Sequence, residues 1–302
     1  MIIAVTGATG FVGSALLDLA LAEGHTVRAL TRREMPPREG VGWVHGDLAD
    51  AAALRRFCEG ADAIVHVAGV VNAADRAGFV AGNVTGTRAV LAAAGETGAR
   101  RFVHVSSLSA REPLLSDYGH SKFGAEVAVE QSDRDWTIVR PPAVFGPRDT
   151  EMFELFKAAA RGIVPLPPEG RTSLIHVADL AALLLALATD GGSHGGQVFE
   201  VDDAVPGGWR HADMARAIGA AMGRRIVPLS MPAWGVKAAA RIDRLVRGGK
   251  AKLTPDRARY MVHPDWVSDP AKRPPPGLWR PGIETRAGLK ATAEWYRAAG
   301  WL

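Results

Sequence analysis

The chain predicts an α/β protein, a doubly wound parallel sheet covered by helices, followed by a smaller and mostly helical lobe. Three observations predict it. Short apolar runs alternate with helical patterns through roughly the first 140 residues. A glycine-rich turn from Gly7 to Gly13 joins the first apolar run to the first helical pattern. The 302 residues, 47% of them hydrophobic, supply enough apolar surface for that sheet and a second core.

Ile2-Ile3-Ala4-Val5 is the first strand, and Phe11, Val12, Leu16, Leu17, Leu19 and Ala20 mark the first helix, which Gly24-His25 ends. Thr26 to Leu30 makes the second strand, and Trp43 to Gly46 the third after a Pro-rich loop. Asp50 stands where an N-cap should for the Ala-rich helix 51–58, and Ile64 to Val67 follows as the fourth strand. Helix 84–97, strand Phe102 to Val105, helix 119–131 and strand Trp136 to Val139 continue the alternation. Repeated βα units of this kind require parallel strands, because each crossover returns the chain to the same edge. The expected division is a nucleotide-binding domain over 1–162, with a returning strand at about 196–202. Residues 163–195 and 203–302 then form a substrate-binding lobe.

Composition narrows the class. The single cysteine, Cys58, forms no internal disulfide, and no CxxC or HExxH spacing offers a metal site, so a reducing, cytoplasmic setting and no metal are expected. The longest apolar run, Leu180 to Ala188, falls short of the ~20 residues of a bilayer span. A net charge of +4 hides an asymmetry: residues 1–202 carry 18 basic against 24 acidic side chains, residues 203–302 carry 18 against 8. Within 224–259 ten basic residues face only Asp243 and Asp256, which suits an anionic surface or, equally, a solvated basic face.

Thr6-Gly7-Ala8-Thr9-Gly10-Phe11-Val12-Gly13 is a GxxGxxG loop between strand and helix. Gly7 permits the tight turn, Gly10 lets the backbone approach a pyrophosphate, and Gly13 allows close helix packing, while the helix N-terminus offers N–H groups and a positive dipole end. A dinucleotide is the expected cofactor. An acid at the end of the second strand would hold a ribose 2′-hydroxyl, but here Leu30-Thr31-Arg32-Arg33 stands in its place. Two guanidinium groups suit a 2′-phosphate, so NADP(H) is preferred, with NAD(H) as the alternative. Asp47 and Leu48, after the third strand, are positioned for the adenine.

Ser106-Ser107 ends the fifth strand, and Tyr118-Gly119-His120-Ser121-Lys122 follows. Tyrosine and lysine four apart share one helix face. A phenol near pKa 10 is a poor acid at neutral pH, and a neighbouring ammonium lowers the cost of its ionised form. A serine hydroxyl then holds the carbonyl oxygen.

With these motifs the chain resembles an extended short-chain dehydrogenase/reductase of the NAD-dependent epimerase/dehydratase superfamily, a Rossmann-type fold. The resemblance extends to His66-Val67-Ala68-Gly69, Asn83-Val84-Thr85-Gly86-Thr87, Arg140-Pro141-Pro142-Ala143-Val144-Phe145-Gly146-Pro147 and Arg171-Thr172-Ser173-Leu174-Ile175-His176-Val177-Ala178-Asp179-Leu180. It implies that Ser107, Tyr118 and Lys122 are the catalytic set, with Ser106 and Ser109 as competing hydroxyls. It further implies that Lys122 holds the nicotinamide ribose, that Val67, Ala68 and Gly69 line the cofactor, and that Pro141, Ala143 and Val144 pass the nicotinamide amide.

The sugar-nucleotide dehydratases that this family contains place an acidic pair after the active-site hydroxyl, whereas Leu108-Ser109-Ala110-Arg111 follows here. Its epimerases carry a longer serine-to-tyrosine interval than the 11 positions that separate Tyr118 from Ser107. Carbonyl reduction or alcohol oxidation is therefore expected, and the resemblance is nearer to reductases of steroid, flavonol or keto-lipid substrates. A nucleotide-sugar epimerase or reductase and a non-catalytic NADP-binding sensor are the alternatives. The segment 232–247 projects Trp234, Ala238, Ile242, Leu245 and Val246 in one helical arc beside Lys237, Arg241 and Arg244. Such a helix either lies on an anionic membrane or docks on the lobe with solvated arginines. No nucleic acid is expected as partner, and Trp279, Trp295 and Trp301 are expected to pack or to cover a pocket edge.

Overall fold

The computed structural model describes residues 1–248, 251 and 253–302. In chain order the first elements are β1 (Ile2–Thr6), α1 (Phe11–Ala22), β2 (Thr26–Thr31), β3 (Val41–His45), α2 (Ala51–Cys58), β4 (Ala63–His66), α3 (Arg76–Phe79), α4 (Gly86–Thr97), β5 (Arg101–Val105), α5 (Asp117–Glu130) and β6 (Asp135–Arg140). They continue with β7 (Ala143–Phe145), α6 (Phe153–Ala160), β8 (Ile163–Leu166), β9 (Arg171–Thr172), β10 (Leu174–His176), α7 (Val177–Thr189), β11 (Gln197–Glu200), β12 (Trp209–Arg210) and α8 (His211–Ala221). The last are β13 (Val227–Ser230), α9 (Ala233–Arg247), α10 (Pro255–Met261), β14 (Asp265–Trp266) and α11 (Thr285–Ala298).

Seven strands form the main sheet in the order β11-β6-β5-β4-β1-β2-β3, and every pairing from β3 across to β6 is parallel. The burial explains why the first strands read so plainly. Ile3, Ala4 and Val5 of the central β1 are fully buried because helices cover both sheet faces, while edge strand β3 stays half-exposed. Asp50 caps α2 as expected, accepting from Ala53 N at 2.9 Å. The returning strand is β11, at the end of the sheet beside β6.

One helix differs from expectation. In place of a start at 84, helical chain begins at Arg76, widens to a π-turn over Val80–Thr85 and then runs on as α4. The wide turn carries Asn83, whose buried side chain bonds both backbone groups of Val70: it accepts from Val70 N at 2.6 Å and donates to Val70 O at 3.0 Å.

The chain forms two compact units, one of residues 1–140, 180–199 and 274–280, the other of 141–179, 200–273 and 281–302. This division departs from the expected one at residue 162. Residues 180–199 join the first unit because Arg101 Nε donates to Leu187 O at 2.8 Å and Thr137 Oγ1 to His194 O at 2.7 Å. The core of the first unit gathers Leu54, Phe57, Ile64, Val90, Phe102 and Ile138. In the second, Phe145, Phe156, Leu174, Ile218, Leu289 and Tyr296 form the core, with Trp295 packed against it and its ring 5.1 Å from that of Trp301. Trp279 is buried in the first unit.

Candidate active site

The order of the sheet reverses at β1, which lies between β2 and β4, so the ends of β1 and β4 frame a crevice of the kind that holds nucleotides. Gly7 sits there at φ +70°, where a Cβ would stand 2.9 Å from Ala68 N, and the next loop of the crevice is built from Val67, Ala68 and Gly69. A Cβ on Gly13 would lie 2.1 Å from Gly7 O, and one on Gly10 3.2 Å from the same oxygen. Only glycine lets this loop fold so tightly onto the start of α1. Among the described residues no side chain caps that first turn and none in it is acidic, so its N–H groups suit a phosphate.

Beneath the loop runs a chain of buried polar groups. Ala68 N donates to Thr6 Oγ1 at 3.1 Å, and Thr6 Oγ1 lies 2.8 Å from His66 Nδ1. Thr87 spends its proton on Asn83 O at 2.6 Å, so His66 Nε2 is the donor across the 3.0 Å contact to Thr87 Oγ1, and Nδ1 accepts from Thr6. Burial, reinforced by the nearby Lys122 charge, lowers the His66 pKa to about 3 and keeps that ring neutral. The chain continues from Asn83 Nδ2 to Ser121 Oγ at 2.8 Å, and Ser121 Oγ donates to Tyr118 O at 2.8 Å.

Lys122, buried on α5, donates from Nζ to Val105 O at 2.8 Å, at the end of β5. Burial lowers its pKa to about 8, against the raising effect of Glu126 one turn further on. Glu126 is itself held by Arg140 through paired bonds of 2.8 Å and 2.6 Å. Tyr118 lies one turn before Lys122, half-buried, with its ring centroid 6.0 Å from that of Phe79. Ser116 caps α5 through Gly119 N at 2.9 Å. Gly119 is required by a close approach, since a Cβ there would meet Ser109 O at 2.7 Å.

The three serines separate cleanly. Ser106 is buried, and its amide donates to Val139 O at 2.7 Å. Ser107, half-buried, accepts at Oγ from Ser109 N at 3.2 Å and from Ser109 Oγ at 3.0 Å. With two bonds accepted, the Ser107 proton remains to be donated. Ser109 is thus a donor to Ser107, a relation that residue type alone does not disclose. Asn83 and His66 belong to motifs visible in the sequence, but their partners are 13 to 60 residues away.

Arg32 and Arg33 are exposed just beyond β2, where Thr31 Oγ1 accepts from Arg33 N and donates to Arg33 O, both at 3.1 Å. Asp47 is exposed and accepts from Ala49 N at 2.8 Å, while Leu48 packs where a Gly86 Cβ would be. Thr9 is exposed at the loop, and Phe11 and Val12 are half-buried at the start of α1. Pro141, Ala143 and Val144 belong to the second unit, where β7 pairs with β10. The glycine loop and the uncapped first turn of α1 fit the pyrophosphate of a nicotinamide dinucleotide.

The sequence profile of the NAD dependent epimerase/dehydratase family matches residues 3–201. Over its full length the chain is 38% identical to a ceramide reductase of Caulobacter vibrioides, covering 96% of that protein. It is 32% identical to a 4-hydroxy-2-methyl-3-oxo-4-farnesyl-3,4-dihydroquinoline-1-oxide ketoreductase of Stigmatella aurantiaca, over 67% of this chain and 68% of that one. Among solved structures, WbmH of Bordetella bronchiseptica in complex with NAD+ superposes with a TM-score of 0.76 at 19% identity, over 99% of each chain. The human epimerase family protein SDR39U1 with NADPH gives 0.75 at 21% identity, over 97% of this chain and 99% of that one.

Proposed function

The chain belongs to the NAD-dependent epimerase/dehydratase family as an NAD(P)-dependent oxidoreductase, and from that premise we propose that it reduces a ketone on an apolar, lipid-like substrate with NADPH. One observation carries the chemistry. The Ser107 hydroxyl, accepting twice from Ser109, keeps its proton for a substrate carbonyl oxygen at the end of β5. The reduced nicotinamide, when bound, supplies the hydride to the carbonyl carbon. Tyr118 gives its phenolic proton to the oxygen as negative charge develops there, and the Lys122 ammonium stabilises the phenolate that remains. Read backwards, the same groups oxidise a secondary alcohol.

The substrate class is supported by the full-length likeness to a protein named ceramide reductase. The short Ser107–Tyr118 interval and the absence of an acidic pair after Ser107 point the same way. Arg32 and Arg33 support NADP(H) over NAD(H). The same reading carries a cytoplasmic enzyme that meets its substrate at a membrane surface; among the described residues no helix is long and apolar enough to cross one.

A second reading, a nucleotide-sugar substrate, is favoured by a cleft of about 700 Å³ in the second unit. Arg171, Arg210, Arg216 and Arg286 line it beside two acids, Glu284 and Asp213, the latter paired with Arg216 at 2.9 Å, so that an excess of guanidinium groups remains to suit a diphosphate. Following NADPH oxidation with long-chain keto-amides, keto-steroids and nucleotide-sugars separates the two. Turnover with the keto-lipids is expected, and turnover confined to nucleotide-sugars would overturn the first reading.

A further inference from the structure

Helix α9, within the second unit, packs against α10 by one narrow edge. Val236 and Ala240 are buried there with Ala258 of α10, and Met231, Leu253 and Val262 pack around them. At about 100° per residue, the apolar stripe of the same helix lies roughly 160° away from that edge, turned to solvent. Trp234 is 75% exposed, Ile242 61%, Leu245 85% and Val246 77%. The helix therefore docks with its arginines solvated, but it does so by the Val236–Ala240 edge, and the apolar stripe is the face left outside. Strand β13, which leads into the helix, adds exposed Val227 and Leu229.

The charges are arranged along this stripe and not opposite it. Lys237, Arg241 and Arg244 are exposed within an arc of about 60° at its border. Asp243 is directed elsewhere, accepting from Leu253 N at 2.9 Å and pairing with Arg247 at 3.2 Å. Of the basic segment 224–259, Gly249, Lys250 and Lys252 lie outside the described residues.

We propose that this face of α9 is a membrane-docking surface whose occupant is an anionic bilayer, with Trp234, Ile242, Leu245 and Val246 in the headgroup and acyl boundary and the three cations on lipid phosphates. Charge complementarity selects that occupant. A second copy meeting the same face would bring two rows of Lys237, Arg241 and Arg244 together with no acid between them, whereas an anionic interface satisfies both the apolar stripe and its cationic border. The inference rests on the lipid-substrate reading only for its purpose, since the surface is defined without reference to the substrate.

Sedimentation of the full chain with phosphatidylglycerol-containing vesicles and with pure phosphatidylcholine vesicles tests it. Binding to the anionic vesicles at low salt is expected, weakening at least about ten-fold as salt is raised several-fold, because each cation contributes about five-fold and is screened. Trp234→Ser with Leu245→Ser, and separately Lys237→Glu with Arg241→Glu, should each abolish pelleting while melting temperature and turnover of a water-soluble ketone stay unchanged. No pelleting at low salt, or pelleting untouched by both variants, overturns the proposal. So does a concentration-dependent dimer that Leu245→Ser dissolves, which would assign the face to a second copy. Vesicle binding without keto-lipid turnover would leave this surface standing and defeat the substrate reading instead.

Discussion

Lys122 Nζ donates to Val105 O at 2.8 Å, so the ammonium of helix α5 is fastened to the last residue of strand β5, two positions before Ser107. Sheet and helix are thereby held in register beside Ser107, where the proposed reduction uses a hydroxyl, a phenol and an ammonium. The same bond satisfies a charge that burial would otherwise leave without a partner.

Tyr118→Phe should lower turnover by about 10²- to 10⁴-fold while NADPH still binds, because only the phenolic proton is removed. Steady-state rates beside a fluorescence titration of NADPH check both halves. Near wild-type turnover would remove Tyr118 from the proton transfer.

Glu126 raises the Lys122 pKa, and Arg140 holds Glu126 in place. Glu126→Gln removes that raising influence and leaves the Arg140 charge uncompensated, so the lysine should lose its proton at lower pH. The alkaline limb of the kcat/KM profile, set near the Lys122 value of about 8, should move down by about one pH unit. A limb that stays where it is would show that Lys122 does not set it.

Replacing Arg32 and Arg33 together by Ser should weaken NADPH binding by about ten- to a few hundred-fold and leave NADH binding within about three-fold, the loss of charged contacts to a 2′-phosphate. Paired titrations of both cofactors measure it. Equal losses for both would make the arginines a general anchor and remove the ground for NADP(H) preference.

How far the sequence discloses this molecule depends on how local each feature is. The strands β1 to β6 are legible because a strand buried on both faces must be apolar throughout, as Ile3 to Val5 are. The π-turn at Val80–Thr85 is not, because its reason is the bond from Asn83 to Val70, 13 residues away. The unit boundary is hidden for the same cause, lying in contacts such as Arg101 to Leu187. In α9 periodicity discloses the apolar stripe, yet only packing by Val236 and Ala240 shows that the stripe faces out. At the site, residue types and spacing name Tyr118 and Lys122, while Ser109 as the donor to Ser107 is a matter of side-chain direction at a short turn.

Burial lowers the Lys122 pKa from the ordinary 10.5 to about 8, which means that the charged form is disfavoured in the folded protein. Below pH 8 lysine is charged in both states, and the folded state bears the whole cost. As pH rises through 8 the folded lysine sheds its proton while the unfolded one keeps it until about 10.5, so the cost is progressively relieved across that window. Lys122→Met has no such cost, though it gives up the bond to Val105 O. In the cofactor-free protein, wild type should therefore gain on the variant by a few kcal/mol between pH 8 and 10.5, the order of magnitude that the shift implies. At pH 7 the variant should be as stable as wild type or more so, and without turnover. Denaturant unfolding of both proteins at a series of pH values measures the difference, and parallel stability curves across that window would show that the ammonium is not buried at this cost.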